Sequence, residues 1–423
     1  MAEYLKKAVP PAPADEQAVR DVVSEILCRV KAEGLAAVRE YSRRFDGWDP
    51  PSFRVGEADI LAARDKLAPE VLASLEFAHD QVRHFAELQR ASMLEFEEET
   101  RPGVFLGQKH IPIANVGAYV PSGTYPMLMS AQMSILTAKV AGVGRVVGCA
   151  PPYGGVGIYP EVLWSMHLAG ADEIWAVGGV QALAMLAYGV EGLAPVDLIS
   201  GPGNMYVAEA KRQLFGTVGI DLLAGPTEIL IIADGSADPV IVAADLLGQA
   251  EHGPTSPAVL VTTSRELAGQ TLAELDRQLP LLPSAEVIRT SWGQLGEVVV
   301  AADADEAVAL ADRFAPEHLE VQTADPGWYA ERLRNYGTLC IGEEATIAFS
   351  DKAIGTNHTL PTAGAARYTG GLWVGKFLKT VTYQRCTREG ALDIAPHAGL
   401  LSDAELMPAH AASAYARVDK YRG

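Results

Sequence analysis

Gln249-Ala250-Glu251-His252 sets a carboxamide oxygen and an imidazole three residues apart, at the end of a strongly helical segment. At that spacing both side chains lie on one helical face and can converge on a single ion. Three more polar clusters follow: Ala315 to Glu320 with Glu317-His318, Asp351 ahead of Gly355-Thr356-Asn357-His358, and the stretch from Glu405 to His410. Together they offer two nitrogen and two oxygen donors for a divalent metal, plus a separate Glu–His pair for proton work. Two imidazoles, a carboxylate and an amide oxygen suit a borderline cation such as zinc better than calcium or magnesium. The competing reading of Gln249 and His252 is structural, a histidine resting near the negative end of a helix.

Glu317-His318 follows Pro316 and precedes a strand candidate, so the pair lies at a strand's edge. A histidine there can serve as general base near neutral pH, and the glutamate can activate water. Neighbours on a strand point to opposite faces, so joint action needs a twisted or non-strand backbone, and a polar turn is the plainer alternative. Gly201-Pro202-Gly203-Asn204 sits between a strand and a helix, as phosphate-cradling loops do. It is not the dinucleotide fingerprint, because Tyr206 takes the third glycine position, but its backbone amides remain available to a nucleotide.

These residues need a scaffold. A chain of 423 residues exceeds what one core usually holds, and 49% apolar residues suffice for two. Lys and Arg number 34 against 53 Asp and Glu, a formal charge of −19 spread along the chain. That balance argues against nucleic acid or an anionic membrane as partner, though one local cation can still hold a small anion. Cys28, Cys149, Cys340 and Cys386 are scattered and read as free thiols of a reducing compartment. With no apolar leader and no apolar run of spanning length, a cytoplasmic location is expected.

Residues 1–20 are rich in Pro and Ala and read as an arm; Glu16 to Ala86 is mostly helical. Apolar runs ending in Gly or Pro then alternate with helical stretches, first across 114–215 and again from Glu228. Strand candidates are 114–120, 145–150, 173–178 and 196–199, then 228–234, 258–262, 297–301, 318–322 and 338–341. Asp238-Pro239 caps and opens the helix that runs to Gln249 and His252, and Gly253-Pro254 stops it. The expected fold is α/β: two doubly wound, Rossmann-like parallel-sheet domains in tandem, with an N-terminal helical arm and a C-terminal helical tail.

The clusters together resemble the histidinol dehydrogenase family. The matching blocks are Val116 to Pro121, Gly178 to Ala182, Gly201 to Asn204, Ile220 to Pro226, Gln249 to His252, Ala315 to His318 and Gly355 to Thr362. They fall in the family's order, and the likeness runs from about Asp21 to Arg417. The resemblance implies a zinc- and NAD-dependent enzyme that oxidises a primary alcohol through an aldehyde to a carboxylate. By matching position the zinc ligands are Gln249, His252, Asp351 and His410, with His410 supplied by the partner of an intertwined homodimer. His318 is then the general base and Glu317 the activator of water. Tyr119, Gln181 and Asn204 are the implied NAD contacts. Thr227, where the family usually has Ser, joins Glu405, His318 and the metal ligands around the substrate. The implied division is an arm at 1–20, a metal and substrate domain at 21–118 plus 227–374, an NAD domain at 119–226, and a tail at 375–423 reaching the partner.

One segment departs from the family. Where histidinol dehydrogenases carry a glutamate four residues before the zinc aspartate and a tyrosine after it, this chain has Ile347 and Lys352. A lost carboxylate and a gained cation disfavour a cationic imidazole substrate and favour a smaller or anionic one. Lys352 is then a candidate anion contact, or else a surface lysine paired with Glu343 or Glu344. The segments 350–358 and 368–380 resemble the paralogous sulfopropanediol 3-dehydrogenases, which oxidise 2,3-dihydroxypropane-1-sulfonate to sulfolactate. The alternatives are a histidinol dehydrogenase proper, and a zinc- and ligand-binding paralog without turnover. Aldehyde oxidation through a cysteine has no thiol beside a matched block to act as nucleophile.

Overall fold

The structure is a computed structural model that describes residues 2–11, 15–122, 125–190 and 192–422. Its five-stranded sheet is wholly parallel, ordered Glu173–Ala176, Arg145–Ala150, Asn115–Tyr119, Leu198–Ser200, Gly219–Ile220. Numbered along the chain, that order is 3-2-1-4-5, so the winding reverses between Asn115–Tyr119 and Leu198–Ser200. Ligands of such sheets settle outside the carboxyl ends of the strands at that reversal. Both faces are covered, which is why the strands read as apolar runs rather than as alternation. Val116, Ala118 and Val146 pack into one core, and Tyr119, Val147 and Cys149 into the other.

The six-stranded sheet has the order Glu3–Lys6, Glu297–Val300, Ala258–Thr262, Ile229–Ala233, His318–Gln322, Thr338–Ile341. Its five later strands are parallel and repeat the order 3-2-1-4-5. The two halves thus share one topology without a residue-level repeat. Here too a separate core lies on each face, Ile229 and Ile231 on one side and Leu230 and Ile232 on the other.

Three features differ from the sequence expectation. Within the arm, Glu3–Lys6 pairs antiparallel with Glu297–Val300 and forms the sheet's edge, where Lys6 Nζ donates to Gly296 O at 2.7 Å. Within the tail, Leu378–Cys386 is a strand, paired antiparallel with Val104–Pro112, which also pairs with Phe96–Arg101. Helices Arg388–Ala404 and Pro408–Arg422 follow it. This small sheet was hard to read because Phe96–Arg101 is exposed throughout and carries no apolar alternation. Finally, the helices between Glu16 and Ala91 pack on the five-stranded sheet, through Val23, Ile26 and Tyr41 on one face and Leu75, Ala78 and Val82 on the other. The division that the resemblance implied groups 21–118 with the six-stranded sheet, whereas apolar contact attaches these helices to the other half.

No described helix is long and apolar enough to cross a membrane.

Candidate active site

A cavity of about 740 Å³ is lined from both halves of the chain. From the five-stranded half come Tyr119, at the carboxyl end of its strand, and the loops at Gly179 and at Pro202 to Asn204. From the other half come Thr227, His252, Glu317, His318 and Asp351. These lie at the opposite end of their sheet. Thr227 precedes the strand Ile229–Ala233, His318 opens the strand His318–Gln322, and His252 precedes Ala258–Thr262. The amino ends of one sheet therefore face the carboxyl ends of the other.

The helix Pro239–Ala250 begins where expected, with the Asp238 side chain accepting from Val240 N and Pro239 in the first turn. Its carboxyl end brings His252 to the cavity and Gln249 against the lining residue Thr227, and that end carries the helix's partial negative charge, which favours a cation. The short helix Ile347–Lys352 delivers Asp351 to the same point, so that His252 Nε2 lies 3.3 Å from Asp351 Oδ2. Burial alone would raise the Asp351 carboxyl. The His252 hydrogen bond and the nearby His358, His318 and Lys352 outweigh it and hold Asp351 well below the usual carboxylate range. Burial opposes charge on His252, yet the Asp351 carboxylate raises its pKa overall. Gln249 Oε1 and His252 Nδ1 are buried without a hydrogen-bond partner. The paired imidazole and ionised carboxylate, with an orphaned amide oxygen three residues before the imidazole, fit a zinc ion. They make an incomplete set: among the described residues no group of three or more His, Cys, Asp or Glu side chains forms a metal site.

The fourth expected ligand is elsewhere in this chain. His410 and Glu405 are exposed, neither lines the cavity, and the helix Pro408–Arg422 packs chiefly against Arg388–Ala404.

Glu317 and His318 do meet, despite being neighbours. Regular strand geometry starts at His318, after Ala315 adopts a left-handed φ of 53°, so Glu317 escapes the alternation. Glu317 Oε2 accepts from Thr227 Oγ1 at 2.5 Å and from Glu228 N at 3.0 Å, and lies 3.5 Å from His318 Nδ1. Burial pushes the Glu317 carboxyl well above its usual value. His318 Nδ1 bonds Glu228 O at 3.1 Å, which turns Nε2, buried and without a partner, toward Asp351 Oδ1 at 3.9 Å. Burial lowers the His318 pKa to about 4, so the ring is neutral at physiological pH. Thr227 also accepts from Gln249 Nε2 at 2.7 Å and so links Glu317 to the carboxyl end of the helix Pro239–Ala250.

At the other end, Tyr119 Oη accepts from Gly179 N at 3.2 Å, and Asn204 caps its helix by accepting from Tyr206 N and Val207 N. Gly201 has a φ of 112°, and a Cβ there would stand 2.0 Å from Tyr119 O, so only glycine fits. The buried Lys211–Asp221 ion pair grips both polar groups of that glycine, with Asp221 Oδ2 accepting from Gly201 N at 2.8 Å and Lys211 Nζ donating to Gly201 O at 3.0 Å. Two helix starts, at Gly179 and Met205, face this end of the cavity beside Gln181, an arrangement suited to a dinucleotide's pyrophosphate. Among the described lining residues there is no Lys or Arg.

Two residues at or beside the site, Asp46 and Glu228, escaped the sequence reading, and His358 was named there without a role. Asp46 lines the cofactor end, accepts from Gln181 Nε2 at 3.3 Å, and is pushed by burial to about 6. Glu228 is buried, accepts from Ala363 N at 3.0 Å, and is pushed by burial to about 7. An acidic residue abutting the apolar run Ile229–Ala233 was the signal for it. His358 lines the cavity with Nε2 2.9 Å from Ser130 Oγ, on the turn before a buried π-helical stretch Gln132–Leu136.

Of the two departures, Lys352 is 59% exposed with Nζ 3.8 Å from Asp351 Oδ2, a rim position beside the cluster and not a pairing with Glu343 or Glu344. Ile347 points into the apolar core and does not line the cavity. The charge argument for the substrate therefore rests on Lys352 alone. The cysteines are free, and no described one lines the cavity.

A tandem pair of 3-2-1-4-5 sheets enclosing a cavity with metal-type and acid–base clusters is the architecture of a dehydrogenase. The histidinol dehydrogenase family model matches residues 11–418, and the chain belongs to that family. It is 52% identical to "Histidinol dehydrogenase homolog" of Shouchella clausii over 423 residues, all of both chains. It is 45% identical to "Sulfopropanediol 3-dehydrogenase" of Ruegeria pomeroyi over 421 residues, 99% of this chain and 97% of that one. The solved histidinol dehydrogenase of Elizabethkingia anophelis superposes with a TM-score of 0.93 at 32% identity, covering 98% of this chain and 95% of that one. The protein is accordingly an oxidoreductase of the family acting on an alcohol or aldehyde.

Proposed function

We propose that this chain is a zinc- and NAD-dependent dehydrogenase that carries a primary alcohol through its aldehyde to the carboxylate, with 2,3-dihydroxypropane-1-sulfonate as substrate. The observation that carries the chemistry is that His252 and Asp351 line one cavity with Glu317 and His318, while Gln249 is tied to the same wall through Thr227. Bound zinc would orient and polarise the alcohol oxygen, and bound NAD would take up a hydride at each of the two oxidations.

Gln249, His252 and Asp351 would hold the metal, and Tyr119, Gln181 and Asn204 the cofactor. His318, neutral and with a free Nε2, takes the alcohol proton at that nitrogen. Glu317, whose raised pKa makes it a stronger base than an exposed carboxylate, takes a proton from the water that adds to the aldehyde. Retention of the aldehyde between the two steps keeps a reactive species out of solvent. The sulfonate points to the rim, where Lys352 is the cation next to the cluster.

The partner is proposed to be a second copy of this chain, with His410 completing the metal set and Glu405 reaching the substrate. In support, the C-terminal helices and the turn between them expose Leu400, Leu401 and Leu406 at 64%, 66% and 88%, apolar surface that a dimer would cover.

The test is NADH formation by zinc-loaded protein, comparing racemic 2,3-dihydroxypropane-1-sulfonate with L-histidinol at matched concentrations. Turnover of the sulfonate with two NADH per reacting molecule, and a raised KM in Lys352→Ala, are expected. Preference for histidinol would overturn the substrate assignment, and an unchanged KM would remove Lys352 from it.

A further inference from the structure

Residues two apart on a strand share a face, so His318, Glu320 and Gln322 form one row, while Leu319 and Val321 pack into the core behind. Glu320 and Gln322 are fully buried and have no part in the chemistry above. Against them lies Asp245, on the helix that carries Gln249. Gln322 Nε2 donates to Asp245 Oδ2 at 2.8 Å and to Glu320 Oε2 at 3.1 Å. Thr346 Oγ1 donates to Asp245 Oδ1 at 2.9 Å, and Ile347 N donates to Glu320 Oε1 at 2.9 Å. Thr346 and Ile347 are the cap and first residue of the helix that carries Asp351.

This buried cluster therefore ties together the strand of His318, the helix of Gln249 and the helix of Asp351. An apolar core could hold these elements at the right distance, but it would leave their rotation and register loose. Directional hydrogen bonds fix both. Side chains behind the ligands commonly set how well a metal site binds.

We propose that Glu320, with Asp245, is a positioning residue that holds the metal-ligating helices in register with the strand of His318. The inference rests on the functional reading above. Burial raises Glu320 to about 8, so it keeps its proton beside Asp245, and two carboxyl groups can share the pocket without mutual repulsion. Ile347 belongs to this arrangement: its backbone N–H serves the Glu320 carboxyl, and its side chain fills the core beneath the helix.

The test compares wild type, Glu320→Gln and Glu320→Leu for zinc affinity, by competition with a chelating dye, and for NAD affinity on the same preparations. The amide of Glu320→Gln can still donate to Asp245 and accept from Ile347 N, giving up only the bond that Glu320 Oε2 accepts from Gln322 Nε2. Zinc affinity about tenfold weaker in Glu320→Leu, near wild type in Glu320→Gln, and NAD affinity unchanged in both, is the expected pattern. Equal zinc affinity in all three proteins would overturn the inference. So would a joint fall in zinc and NAD affinity, which marks a general structural role, or an equal loss in the Gln and Leu variants. If Glu320→Leu does not fold, Thr346→Val removes one tie to Asp245 and must weaken zinc binding by itself, or the inference fails. Failure of wild type to take up zinc would sink the functional reading, and the inference with it.

Discussion

The Thr227 hydroxyl donates to Glu317 Oε2 at 2.5 Å while accepting the Gln249 carboxamide at 2.7 Å. One side chain thereby orients both the carboxylate proposed to activate water and the amide proposed to hold the metal. Its single proton goes to Glu317, which forces Gln249 to present its nitrogen to Thr227 and its oxygen to the cluster.

Thr227→Val keeps the shape and removes the relay. The Gln249 amide loses its acceptor, its orientation is no longer set, and Glu317 loses a hydrogen bond that favours its charged form. A fall in kcat of at least tenfold and a stability loss of roughly 1–3 kcal/mol are expected. Thr227→Ser restores the hydroxyl and is expected to behave as wild type. Steady-state kinetics and thermal melts on the three proteins check this, and a fully active Thr227→Val would show that the relay is dispensable.

Glu228 makes stability depend on pH. Burial raises its carboxyl from the ordinary 4.5 to about 7, so between those values the folded state holds a proton that the unfolded state has lost. Stability from this group is complete below about 4.5 and is lost as pH rises through about 7. The cost at pH 8 is on the order of 3 kcal/mol. Glu228→Gln cannot ionise, so metal-free variant protein is expected to gain Tm over wild type at pH 8 and not at pH 5. Parallel melting profiles for the two proteins would refute the assignment.

The thiols are predicted to be bystanders. Cys149 and Cys340 are buried, and burial pushes both pKa values up, Cys340 to about 12, so neither is a ready nucleophile. Alkylation of the native protein is expected to label the exposed Cys28 and Cys386 only, with NADH formation retained. Loss of turnover in step with modification of a buried thiol would reopen cysteine chemistry.

A site shared between two subunits, as proposed, predicts complementation between them. If His410 serves the partner's cluster, His252→Ala and His410→Ala are each inactive alone. A mixed dimer then has one site with both histidines intact. Refolding the two variants together is expected to restore turnover that neither shows by itself. Continued inactivity of the mixture, with mixed dimers demonstrated, would place His410 outside the site.

The sequence by itself carried the local elements and the residue types of the site. Ala258–Thr262 and Thr338–Ile341 were legible to the residue as apolar runs bounded by Gly, Pro or polar residues, and His318–Gln322 as a strand candidate after Pro316. The cap at Asp238-Pro239 was legible for the same local reason, and the matched blocks carried the family. Tertiary structure alone decided that one sheet offers its amino ends and the other its carboxyl ends to a single cavity. It also decided that Ile347 faces the core, that Asp46 joins Gln181, and that Asp245 meets Glu320. Those relationships join positions far apart along the chain through packing and burial, and pairings of that kind leave no periodic trace in the residues between them.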